Sequence, residues 1–408
     1  MKNHRLVKLL IFGILLHTNP SLGQDVSAQS VEKASKEAQS QCPDFQEQTR
    51  APGVRTQTDY SVETITDKLN FPWGMDFLPD GKLIVSEKPG RIKLISKEGQ
   101  VGPALKGVPE VRYEGSGGLF DIKLSPDFET SRKVFWTYVS TYEGEAMNQV
   151  ASGVLSRDET EIQDVKIIYE IKPTQGGKFH FGSRLLFDSE GMLLVTFGDR
   201  FRNGRKDVQE MNAALGKIIR ITPEGKAAKG NPFENAENTL PEIWSLGHRN
   251  PQGLAFNPAT QELWESEHGP RAGDEINRIK KGGNYGWPQV SFGLEYDGSP
   301  VDGTGLTKKT GMESPVYYYD PAVAPSGMTF YDGDLIPEWK NNLFVAMLRG
   351  MHIARLVIDN ATGRIVGEER LLTEEKQRFR HVVQGPDDAL YAITDDENGR
   401  LYRISTKK

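Results

Sequence analysis

Apolar and polar positions alternate with a period of two along most of the chain, in short runs broken by Gly, Pro, Asp and Asn. The stretch "WGMDFLPDGKLIVSEKPGRIKLI", from Trp73, shows the unit: an alternating run, a tight turn and a second alternating run. Each run reads as a strand, and two runs joined by such a turn read as a hairpin. The same phrase returns from Gly117, Gly182, Pro251, Pro325 and Arg380. Six imperfect copies spaced by tens of residues predict a radial repeat. The expected fold is all-β: a six-bladed β-propeller of four-stranded antiparallel blades, each copy supplying the inner hairpin of one blade. The strand-like "YSVETITDKLN", from Tyr60, precedes the first copy and is expected to close the ring by pairing in the last blade. Helix is scarce. The clearest helix-compatible run is "DVQEMNAALG", from Asp207, a short insert before the strand "KIIRI".

The ends and the composition narrow the picture. Residues 1–23 place basic residues before an apolar run at 6–16 and small residues around Gly23, the layout of a secretory signal peptide with cleavage near Gly23. The apolar run is too short to span a bilayer comfortably, so no membrane span is expected after signal removal, and the mature protein is expected to be periplasmic or secreted. Residues 24–53 are rich in Ser, Gln, Glu and Lys and read as a flexible leader; residues 54–408 read as the propeller domain. The only cysteine is Cys42, which rules out an internal disulfide and any cysteine-based metal site. Stability must then come from a core or from bound ions. The formal net charge is −6, and no basic stripe with interleaved aromatics argues for a nucleic-acid partner.

Four stretches carry chemistry. In "GGKFHFGSR", residues 176–184, glycines at both ends demand a tight bend, and His180 between them suits a general base or a packed imidazole. Asp199, at the far end of the same hairpin, could orient that ring. In "SLGHRNPQGLAF", residues 245–256, Arg249 and Asn250 sit among turn residues at a hairpin entrance, where Arg suits an anion or a carbonyl. In "ESEHGPRAGDEINRIKKGGNYGWP", residues 265–288, Gly269 and Pro270 offer backbone carbonyls, and Glu267, Asp274 and Glu275 add hard oxygens that favour calcium over zinc. In "KQRFRHVVQGPDDALY", residues 376–391, Arg378 and Arg380 are two apart, so in a strand they point the same way and repel unless an anion lies between them. A small ligand with several carboxylates, held by arginines and calcium beside a histidine, fits all four.

From about Thr66 to Ile404, "GHRNPQGLAF", "HGPRAGDEIN", "KKGGNYGWP" and "APSGM" make the chain resemble the soluble PQQ-dependent aldose sugar dehydrogenases, relatives of soluble quinoprotein glucose dehydrogenase. The resemblance implies a six-bladed propeller whose cofactors are pyrroloquinoline quinone (PQQ), a tricarboxylate, and Ca2+. It implies oxidation of the anomeric C1 hydroxyl of an aldose to a lactone, with electrons leaving to a periplasmic or artificial acceptor, by a monomer or homodimer. His180 matches the general base, Asp199 the carboxylate that supports it, and Arg249 the arginine beside the quinone carbonyls. Asn250, Arg378 and Arg380 match cofactor contacts. Gly269 and Pro270 match the carbonyl ligands of the cofactor calcium, and Glu275 and Tyr285 match ligands of a second calcium. Three positions depart from the pattern: Phe179 precedes the base, Ser116 replaces a cofactor-binding glutamine, and Arg349 replaces a cofactor-binding lysine. Two other readings use the same residues: a calcium-dependent propeller hydrolase such as a lactonase, and a cofactor-less propeller that serves as a binding module.

Overall fold

In three of the six copies, the first, third and last, the turn is closed by the same pair of hydrogen bonds. The amide of Leu78 donates to Lys82 O and that of Gly81 to Leu78 O, and the bonds recur from Asp188 to Met192 and from Gly191 to Asp188. Gly81 and Gly191 sit at φ +84° and +74°, a left-handed conformation that glycine adopts without strain. The computed structural model, which describes residues 29–171 and 176–407, arranges these hairpins as six antiparallel sheets of four strands each. The expected signal peptide lies outside the described residues. The innermost strands are Pro72–Phe77, Leu119–Leu124, Leu185–Phe187, Pro251–Phe256, Pro325–Phe330 and Phe379–Gln384, one from each copy. The ring closes as expected: Tyr60–Leu69 pairs antiparallel with Gly399–Thr406 as the outer strand of the last blade, with Tyr60 opposite Thr406.

Adjacent sheets bury their apolar faces on each other. Trp136, Trp264 and Trp339 are wholly buried. Aromatic rings bridge neighbouring blades edge to face, as Phe77 does to Tyr391 at 4.9 Å, Phe135 to Phe187 at 5.2 Å and Trp264 to Phe330 at 5.8 Å. Such pairs add about 0.5–1.5 kcal/mol beyond area burial. At the axis the inner strands come so close that several positions hold no side chain. A Cβ on Gly74 would lie 2.8 Å from Asp121 Cα, one on Gly253 2.5 Å from Ser326 O, and one on Gly327 2.7 Å from His381 Cγ. The small residue in "WGM", "QGL" and "SGM" is therefore a packing requirement. Also at the axis, Arg184 pairs with Asp121 at 3.0 Å, donates to Gln252 O and stacks over Trp73.

One expectation needs correction. The run from Asp207 is not a helix: a 3-10 turn covers Arg205–Asp207, and turns follow. Buried Lys217 explains this, because its ammonium takes the carbonyls of Asp207, Val208 and Leu215, and a continuous helix would pair such carbonyls with amides. The described part of the expected leader, residues 29–53, is held to the ring. Both Asp320 carboxylate oxygens accept amides of this segment, the strap, from Glu37 and Ala38. Arg50 donates to Asp320 O, Gln48 to Pro315 O, and Arg370 pairs with Glu32. These bonds are polar and specific, so the low apolar content of the segment does not reveal them. No helix among the described residues is long and apolar enough to cross a membrane.

Gly74→Ala is expected to lower stability by about 1–3 kcal/mol, the usual cost of overpacking a filled interior. A urea midpoint equal to that of the wild type would show that the inner strands have slack.

Candidate functional site

Two cavities of similar size mark the two mouths of the ring. One, of about 460 Å³, lies where inner strands end and is lined by residues such as Phe77, Phe256, Phe330 and Gln384. The other, of about 470 Å³, lies where inner strands begin. The candidate residues of the sequence gather at the second. His180, Asn250, Arg378, Arg380 and Ser116, which come from different repeats, all line it. A much smaller hollow of about 10 Å³ adjoins it through His268 and is lined by Arg249, Gly269, Pro270, Glu275 and Tyr285. That space is about the size of one water or ion.

The backbone around His180 is bent tightly: His180, Gly182 and Ser183 have φ of +54°, +64° and +82°. Strain at a non-glycine residue of this kind is held by its surroundings. Here the Gly198 backbone packs directly against His180, where a Cβ would lie 2.7 Å from the His180 carbonyl carbon. The ring is fixed by Asp199, whose Oδ1 lies 2.7 Å from Nδ1. Asp199 also accepts the Phe201 amide at 2.7 Å on Oδ1 and the Trp287 indole N–H at 2.8 Å on Oδ2. A carboxylate already accepting two donors keeps the proton on Nδ1, which leaves Nε2 as the basic nitrogen. Burial lowers the His180 pKa, Arg249 lowers it further, and Asp199 opposes both; the net shift is downward from 6.5. The imidazole is thus neutral at neutral pH, as a base must be. Phe179, half exposed, joins Phe201 and Tyr296 in an aromatic rim above it.

Arg249 and Asn250 are presented by a turn that Glu267 ties down: its Oε2 accepts both of their amides. The Asn250 side-chain oxygen accepts the Gly182 amide and so links this turn to the His180 bend. The Arg249 guanidinium donates to His268 O at 2.9 Å and to Gly269 O at 2.5 Å, so the carbonyl expected to face a cation faces a cationic side chain here. Asp274, expected among the hard ligands, is used structurally: its oxygens accept the amides of Gly269, Val323 and Ala324. Burial pushes its pKa up to about 6 against those bonds. The Tyr285 hydroxyl is likewise spent, donating to Arg278 O and accepting the Lys280 amide, so any ligand from this residue has to come from its main chain.

Behind the small hollow lies a dense acidic cluster. Glu265, Glu267 and Glu275 all accept from the single Asn277 amide, at 3.1, 3.2 and 3.3 Å. Glu265, Glu267 and His248 hold potential ligand atoms within 4.8 Å of one another. Burial first, then repulsion from Glu267, raises the pKa of Glu265 and of Glu275 well above 4.5. Hard, crowded oxygens with an excess of negative charge suit a divalent cation.

On the opposite wall Arg378 and Arg380 do point the same way, and the anion between them is part of the protein. Asp395 Oδ2 lies 2.9 Å from Arg380 and 3.4 Å from Arg378. Burial raises the Asp395 pKa, but Arg380, Lys88 and Arg378 outweigh it and hold the carboxyl below 3.8. Arg349 is not in the cavity. It turns outward to pair with Glu37 of the strap at 3.0 Å, and Leu348 lines the wall beside it. Ser116 lines the rim with its hydroxyl on Lys178 O. No role was expected from the sequence for Asp395, Lys88, Gln252, His268 or Tyr296, although Gln252 lies in "GHRNPQGLAF" and His268 in "HGPRAGDEIN"; the supporting Trp287 lies in "NYGWP".

Residues 69–403 match the Glucose / Sorbosone dehydrogenase family, and the chain belongs to it. The aldose sugar dehydrogenase YliI of Escherichia coli is 37% identical, over 85% of this chain and 93% of that protein. The crystal structure of the soluble aldose sugar dehydrogenase of Escherichia coli in its apo form superposes with a TM-score of 0.82 at 36% identity, covering 85% of this chain and all of that one. The PQQ-bound aldose sugar dehydrogenase of Streptomyces coelicolor gives a TM-score of 0.71 at 27% identity, covering 86% of this chain and all of that one.

With a chelator present, Glu265→Gln is expected to raise the urea midpoint at pH 8 by the equivalent of about 1–3 kcal/mol, because it removes one uncompensated buried charge. The sign follows from the raised pKa: the folded protein binds a proton that the unfolded chain has released above 4.5, so the cost grows as pH rises through that window. The gain should shrink as pH falls towards 5. A midpoint lowered at pH 8 would show that the cluster does not carry uncompensated charge.

Proposed function

We propose that the protein oxidises aldose sugars at the anomeric C1 hydroxyl, giving lactones, with pyrroloquinoline quinone and calcium as cofactors. The observation that carries this reading is the His180–Asp199 pair, with Nε2 left basic, in a cavity whose far wall is cationic. The family membership and the PQQ-bound relative from Streptomyces coelicolor support it. The donor set fits the cofactors. The wall of Lys88, Arg378 and Arg380 against Asp395 carries an excess of positive charge suited to carboxylates, and the buried nitrogens Arg249 Nε and Arg380 Nε have no hydrogen-bond partner. Gly269 and Pro270 border a hollow of ion size beside the acidic cluster, and Arg249, which now takes the Gly269 carbonyl, would have to yield it to a cation. When bound, the quinone supplies a hydride acceptor at C5 and calcium polarises it.

The protein's own groups would do the following. Nε2 of His180 takes the proton from the anomeric hydroxyl, and Asp199 stabilises the imidazolium that results. Trp287 and the Phe201 amide hold Asp199 in place. Arg249 offsets negative charge developing beside the ring. Arg378 and Arg380 hold carboxylates of the cofactor, and Asn250 fixes the turn beneath it. Glu275 and the Tyr285 main chain would contribute to a second calcium site. Phe179, Phe201 and Tyr296 cover the site and offer flat apolar surface to a sugar face. Electrons would leave through a periplasmic carrier.

Reconstitution with quinone and calcium, followed by dye reduction on a panel of aldoses, tests the reading. Activity requiring both additions is expected. Lactone hydrolysis without quinone would replace it with the hydrolase reading, and silence in both assays with the binding-module reading.

His180→Ala is expected to abolish turnover while leaving quinone binding largely intact; full turnover would place the base elsewhere. Asp199→Asn removes the interaction that raises the His180 pKa, so the acid limb of the kcat/KM profile should move to lower pH as the rate falls by about 100-fold or more. A limb that stays in place would separate Asp199 from the base. Removing Arg378 and Arg380 together should weaken quinone binding sharply, read by equilibrium titration; an unchanged affinity contradicts the clamp.

A further inference from the structure

Lys88 follows the strand Leu83–Glu87 and lines the same cavity as Arg378, Arg380 and Asp395. Its main chain is fixed at both ends: the amide donates to Phe71 O at 3.0 Å, and the carbonyl accepts the Leu119 amide at 2.9 Å. Its ammonium lies 5.9 Å from the centroid of Phe71 and the same distance from that of Tyr113. Among the described residues no carboxylate is within ion-pair distance of it. Asp395, the acidic group that acts on it, is already shared by the two arginines. Burial lowers the Lys88 pKa, Arg380 and Arg378 lower it further, and Asp395 alone opposes them.

One end of the cavity thus holds three cations against one carboxylate, and among the described residues one of the three has no carboxylate at ion-pair distance. A charge placed this way is costly in the free protein and is relieved by an anionic ligand. The residue that the family resemblance put on this wall, Arg349, is instead engaged by Glu37 and is largely exposed. We propose that Lys88 is the third cation of the anion clamp, doing in this chain what Arg349 does not, and that it holds one carboxylate of a planar polycarboxylate ligand. The proposal rests on the quinone reading above and adds a specificity-determining residue to it.

The test is an equilibrium titration of pyroloquinoline quinone with calcium, read by quenching of tryptophan fluorescence, on the wild type, Lys88→Met and Lys88→Arg. Circular dichroism melts without quinone accompany each. The expected result is a Kd at least about tenfold weaker for K88M and within about threefold of wild type for K88R, the size of one charge-assisted contact. K88M binding as tightly as the wild type while melting earlier would overturn the proposal, because Lys88 would then serve only to offset Asp395, whose Oδ1 lacks a hydrogen-bond partner. Equal binding with an unchanged melt overturns it too. Should K88M fail to fold, K88Q is read by the same criteria. A wild type that does not bind the quinone would instead sink the functional reading itself, and so the two failures are told apart.

Discussion

The crowding at the axis is the constraint on which the rest of the molecule depends. Six inner strands can surround one axis only where their side chains leave room, and Gly74, Gly253 and Gly327 mark places where a methyl group would meet a neighbouring strand or ring. The Arg184–Asp121 pair occupies what space is left, stacked on Trp73 and bonded to Gln252 O. Since Trp73 and Gln252 also line the candidate cavity, the floor of the site is set by the same packing that closes the ring. Loops that leave the inner strands at their starts then inherit fixed positions, which is how residues as distant in sequence as 180 and 380 come to share one hollow.

Charge is distributed across that hollow in opposed blocks. A cationic wall faces a neutral histidine, and a buried acidic cluster lies behind the ion-sized recess. Glu267 couples these regions, because one of its oxygens holds the Arg249–Asn250 turn while the other joins Asn277 in the cluster. Trp287 couples them a second time, donating to Asp199 while lying near the guanidiniums of Arg205 and Arg249. The aromatic and carboxylate residues beneath the site thereby set the orientation of the groups that line it.

The repeat and the ring closure were legible because both are local: period-two alternation and turn residues declare a hairpin, and Tyr60–Leu69 keeps that pattern outside the six copies. The stretches around residues 180, 250, 269 and 378 stood out because glycine, proline and charged side chains coincide at strand entrances. What the sequence hid depends on partners far along the chain. Asp395 sits in an ordinary turn-rich run, and nothing in that run says it will lie between two arginines. Arg349 follows Glu37 outward, a contact across 312 positions. The leader carries no apolar periodicity, since polar bonds to Asp320 and Pro315 hold it. The run from Asp207 has helical composition, but one buried ammonium, Lys217, claims its carbonyls.

The pairing of Tyr60–Leu69 with Gly399–Thr406 has a bearing on how the molecule is made. Ser61 meets Ser405 across 344 positions, so the seam needs the last segment to leave the ribosome before it can form. Until then the first and last sheets each lack a neighbour on one side, and the apolar surfaces they would bury on each other stay wet. Contacts of such span are slow to find. A polypeptide assembled this way acquires its enclosed shape late and as a whole.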